Sequence, residues 1–90
     1  MKPIIVYVTV PDSAEGEAIA TALVDRKLAA CVNMYPIQSV FVWEGETSHE
    51  SEVVMFIKTT EDKFGEIKDT VKSLHSYDLP AIVYWEIKGE

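Results

Sequence analysis

The chain has 90 residues, 8 Lys and Arg against 15 Asp and Glu, 48% apolar residues and only 4 Gly and 4 Pro, the make-up of one folded domain spanning residues 1–90. A formal net charge of −7 argues against a general nucleic-acid binder, which needs clustered Lys and Arg. The longest apolar run is about ten residues against the roughly 20 of a membrane helix, and Met1-Lys2-Pro3 leads straight into a strand, so neither a membrane span nor a signal peptide is expected. The lone cysteine, Cys31, has no partner for an internal disulfide and points to a reducing compartment, most simply the cytoplasm.

Ile4 to Val10 is β-branched and aromatic and reads as a strand ended by Pro11. Asp12 stands three residues before Glu15, the spacing of a capping box, and Ala14, Ala18, Ala22, Ile19 and Leu23 recur at helical intervals, predicting a helix from about Ser13 to Lys27. An extended stretch follows from Cys31 to Trp43, then Glu44 to Thr47 as a turn and Glu52 to Thr60 as the returning strand of a hairpin. Thr59 or Thr60 is placed to cap a second helix whose stripe is Phe64, Ile67, Val71 and Leu74, ending near His75. Pro80 holds Leu79 extended, and Ala81 to Ile87 makes the last strand.

The order β-α-β-β-α-β, with right-handed crossovers, predicts an α+β fold of the ferredoxin-like kind: a four-stranded antiparallel sheet with both helices on one face. The uncovered face of such a sheet should turn polar, yet these strands are apolar on both sides. Thirteen residues from Cys31 to Trp43 reach roughly 40 Å, against a domain about 30 Å across, so the hairpin should project. A domain this small buries only about 60 to 65% of its unfolded surface. A greasy open face and a projecting hairpin tipped with Phe41, Val42 and Trp43 therefore predict an obligate homo-oligomer in a closed ring.

Five blocks carry a family resemblance: Leu28-Ala29-Ala30-Cys31-Val32-Asn33, Pro36-Ile37-Gln38-Ser39, Val42-Trp43-Glu44-Gly45, Ile57-Lys58-Thr59-Thr60 and His75-Ser76-Tyr77-Asp78-Leu79-Pro80-Ala81-Ile82. In order and together they resemble the CutA family, named for divalent-cation tolerance. The resemblance implies a homotrimer with sheets packed inward and hairpins interlocked, similar in build to the PII signalling proteins. Two departures stand out: Ser76 replaces the family's common Pro, and the sequence lacks the family's final short helix, which leaves trimer stability and cleft shape as open expectations.

Candidate ligands are few. Cys31 reads either as a small buried hydrophobe or, in keeping with the resemblance, as a soft ligand for copper or another divalent metal, with none required for folding. His75 reads either as a cap on the second helix or as a second ligand, and His49 as a solvated imidazole. Glu44, Glu46, Glu50 and Glu52 make an acidic turn region, able to attract hard cations or simply solvated. Lys58 interrupts an apolar strand and needs a partner or a wet cleft. The resemblance places it near an inter-subunit cleft to which Asn33, Trp43, Glu44 and Tyr77 are assigned, a setting for a small anionic ligand, a protein partner, or an ion pair to a neighbour's Glu. No nucleophile elbow and no Gly-rich phosphate loop occur, and Arg26 is the single guanidinium, so a non-enzymatic role is expected. The aromatic and basic signature of an RNA-recognition module is missing from Val54 to Ile57.

Overall fold

Ile4, Val6, Val8 and Val10 alternate with Ile5, Tyr7 and Thr9, and in the computed structural model, which describes residues 1–89, the first set is fully buried. These side chains of β1 (Pro3–Val10) join Ile19 and Leu23 of α1 (Ser13–Asp25), Met55 and Ile57 of β3 (Glu46–Thr60), and Ile67 and Val71 of α2 (Phe64–Leu74) in one core. Both helices thus cover the same face. With β2 (Cys31–Trp43) and β4 (Ile82–Glu86), the strands form one antiparallel sheet in the order β2-β3-β1-β4, the predicted α+β arrangement.

Local chemistry sets the boundaries. Asp12 caps α1 by accepting a bond from the Glu15 N–H at 2.8 Å, a contact worth about 1 kcal/mol. The Glu15 carboxylate, expected to complete the box, reaches across to Ser76 instead. The helix stops at Asp25, short of Lys27: Lys27 adopts φ 60°, its N–H bonds to the Val24 carbonyl at 3.0 Å, and the Leu28 N–H bonds to Leu23 at 2.9 Å. That left-handed residue and its paired bonds form a Schellman ending. The buried stripe of α1 is Gly16, Ile19 and Leu23, with Ala14 and Ala18 outside it. A Cβ on Gly16 would come within 3.0 Å of Met34 Sδ and 3.2 Å of Val10 Cγ2, so glycine here permits the close approach of helix and sheet.

The hairpin departs most from expectation. Its connection is the two residues Glu44 and Gly45, at φ 50° and 80°, the geometry of a type I′ turn. Thr47 to Ser51, too polar to read as strand, extend β3 because the ladder with β2 supplies their hydrogen bonds. Pro36 is tolerated because β2 lies at the sheet edge. Neither Thr59 nor Thr60 caps α2: Thr59 Oγ1 donates to the Leu28 carbonyl at 2.6 Å, and a 3-10 turn over Glu61–Lys63 leads into the helix. The last strand is Ile82–Glu86, shorter by one residue at each end than predicted.

β1 pairs with β3 only as far as Val10 opposite Val53. Beyond it, Ile37–Trp43 and Glu46–Glu52 pair with each other alone, an arm about 23 Å long that stretches the molecule to 42 × 25 × 21 Å. None of the helices among the described residues is long and apolar enough to cross a membrane.

Candidate functional site

Strand register assigns the second face. Ile5 and Tyr7 lie beside Lys58 and Phe56 on one side and Trp85 and Val83 on the other, with Cys31, Asn33 and Tyr35 next along β2. No helix covers these residues. Phe56 sits between Tyr7, Tyr35 and Trp85, with ring centroids 5.9, 5.5 and 6.3 Å away. Tyr35, Val83 and Trp85 remain 51, 54 and 44% exposed. An apolar, aromatic surface of this kind is rare on an isolated soluble domain.

Along the arm, Phe41 and Trp43 share a face with Ser48, Glu50 and Glu52. The loop after α2 stands opposite, and the two enclose a groove of about 830 Å³. The loop is anchored to Thr9 of β1 and Glu15 of α1 and braced within itself. His75 Nε2 lies 2.7 Å from the Thr9 carbonyl, the Tyr77 N–H donates to His75 Nδ1 at 3.0 Å, and Ser76 donates through N–H and hydroxyl to Glu15 at 3.0 and 3.1 Å. A backbone N–H can only donate, so Nδ1 accepts and the ring proton belongs on Nε2, where it serves Thr9.

Tyr77 completes the tether by donating its phenol to Glu52 at 2.9 Å. Desolvation, then that bond, then the charges of Glu52, Glu15 and Glu50 raise its pKa from 10.0 to about 12. Because the folded value exceeds the ordinary one, this stabilisation is complete below about pH 10 and is lost as pH rises through about 12. Glu52→Ala should move one tyrosine ionisation down from about 12 towards 10 in an ultraviolet titration, and an unchanged curve would contradict the tether.

The residues predicted as one cleft fall into two groups within a single chain. Asn33 and Lys58 lie at the body end with Cys31, opposite each other or next in register. Trp43 and Glu44 lie at the arm tip, about 40 Å away along β2, and Tyr77 lines the groove with Trp43. Lys58 is exposed and makes no ion pair among the described residues. Cys31 is exposed on the open face rather than buried, with Sγ 3.9 Å from Asn33 Oδ1.

The chain does not bring Cys31 and His75 together. Cys31 is level with Ile5 and His75 with Thr9, about 13 Å further along the sheet. Both imidazole nitrogens are occupied, and among the described residues no group of three His, Cys, Asp or Glu is placed to hold an ion. One chain alone therefore does not fit a metal centre. Sequence reasoning missed Glu15 and Thr9 as the partners that fix the loop, since they lie 61 and 66 residues from the groups they hold.

The sequence matches, over residues 4–90, the family model described as CutA1 divalent ion tolerance protein. The chain belongs to the CutA1 family. A divalent-cation tolerance protein CutA of Archaeoglobus fulgidus is 48% identical over 77 residues, covering 86% of this chain and 76% of that protein. The Thermus thermophilus CutA is 42% identical over 80 residues, 88% of this chain and 78% of its own. The chain spans about half, 49%, of the rice chloroplastic CutA 1, at 42% identity over 96% of this chain. The solved A. fulgidus CutA, described as periplasmic, superposes with a TM-score of 0.95 at 43% identity, covering 98% of this chain and 86% of that one.

Proposed function

We propose that this CutA1-family chain works as a homotrimer of PII-like build in the response to divalent metal ions, without catalysis of its own. The observation that carries the reading is the open sheet face, whose aromatic centre of Tyr7, Tyr35, Phe56 and Trp85 is covered by neither helix and by no other element among the described residues. Copies packed face to face would bury it, and the arm, exposed at Val40 and Val42 on one face and Phe41 and Trp43 on the other, would lie across a neighbour. The free thiol is in keeping with a cytoplasmic setting, although one relative is described as periplasmic.

A Trp43→Phe variant leaves Trp85 as the one indole, and its quenching by acrylamide should be several-fold weaker than that of free tryptophan. Quenching at the free rate would contradict a covered face.

Copper enters this reading at Cys31, where assembly must bring further ligands to the thiol, and at His75 only if its ring gives up Thr9 or Tyr77. Cys31→Ala should abolish copper binding in a calorimetric titration, and unchanged stoichiometry would remove the thiol from the account. A second reading, binding of a small anionic ligand or of a partner protein between subunits, is favoured by Lys58 beside Asn33, exposed and, among the described residues, without an ion pair.

A further inference from the structure

We infer that Met34 is a peroxide-sensitive latch for α1, and that its conversion to the sulfoxide frees the loop after α2. The three methionines differ in setting. Met1 is 91% exposed, Met55 is fully buried, and Met34 is part-buried against the core, on the edge strand β2. Its register partner is Met55, so its side chain lies on the helix side of the sheet, opposite the face that copies of the chain would cover. A small oxidant therefore reaches Met34 without disturbing the assembly, and does not reach Met55.

The Met34 sulfur also sits where helix and sheet come closest. A Cβ on Gly16 would stand 3.0 Å from Met34 Sδ and 3.2 Å from Val10 Cγ2, so this contact has no room for another heavy atom. Peroxide adds one: it transfers an oxygen to the thioether, the O–O bond breaks as the S–O bond forms, sulfur gives up two electrons, and water leaves. The new S–O dipole stands against an apolar cluster and reaches water by moving the first turns of α1 off β2. Glu15, next to Gly16 in the helix, passes the shift on. Its carboxylate holds Ser76 through N–H and hydroxyl at 3.0 and 3.1 Å and lies 3.4 Å from His75 Nδ1. Displacing that one side chain removes the anchor of the loop on α1.

The test is amide hydrogen exchange followed by NMR on the full chain, before and after mild treatment with hydrogen peroxide, with peptide mass spectrometry to place the added oxygen. Cys31→Ala serves as the background, because the thiol would compete for the oxidant. Met34 should gain one oxygen and Met55 none, and the Ser76 N–H should exchange about tenfold faster while the β1 amides stay unchanged. Glu15→Ala should show the faster Ser76 exchange without peroxide. Met34→Leu keeps the volume without the sulfur and should abolish the response. A methionine sulfoxide reductase with a thiol reductant should restore slow exchange. Oxidation of Met1 alone, an oxidised Met34 with unchanged Ser76 exchange, or a full response in Met34→Leu would each overturn the inference. So would faster exchange across β1, which would mean that oxidation unfolds the chain instead of freeing a loop.

Discussion

Phe56→Glu is expected to break the assembly while leaving each chain folded. Phe56 is the hub of the open face, in ring contact with Tyr7, Tyr35 and Trp85, and it points away from the helices. In a lone chain a carboxylate there forfeits the packing of a half-buried ring but still reaches water, whereas in a closed ring it would be buried without a partner. That penalty is several kcal/mol for each copy, enough to dissociate a complex of moderate affinity. Light scattering should therefore show single chains of 10.1 kDa with an unchanged far-ultraviolet circular dichroism spectrum. A variant that keeps the mass of the wild type would mean that Phe56 is not at the interface.

The next residue along β3 should give the opposite result. Ile57 is fully buried on the helix side, between Val6 and Val32 in register. Ile57→Ala removes three carbons from a closed core and should cost about 2–5 kcal/mol in urea unfolding, without changing the mass of the folded protein. A loss below about 1 kcal/mol would indicate that the core can collapse around the gap. Adjacent positions with separate effects, one on association and one on folding, follow from the two-residue period of a strand placed between a covered and an uncovered face.

Much of this was legible before the structure. The run Ile4 to Val10 announced a strand apolar on both sides, and the length of Cys31 to Trp43 announced a projecting hairpin. Which side of β1 would meet the helices was not readable, because Ile5 and Tyr7 are as apolar as Ile4 and Val6. The strand character of Thr47 to Ser51 was hidden because it comes from pairing with β2, not from side chains. The capping box at Asp12 was half right, since the Glu15 carboxylate found Ser76 across the fold. Separation of Lys58 from Trp43 was foreseeable from strand length alone. The roles of His75 and Tyr77 were not, because their partners Thr9 and Glu52 are distant in sequence.

The solution mass at micromolar concentration tests the central claim most directly. The account predicts a single species of three times 10.1 kDa, with the open faces turned inward. A monodisperse species of 10.1 kDa would contradict it, for the aromatic face and the arm would then be stable in water with nothing to cover them.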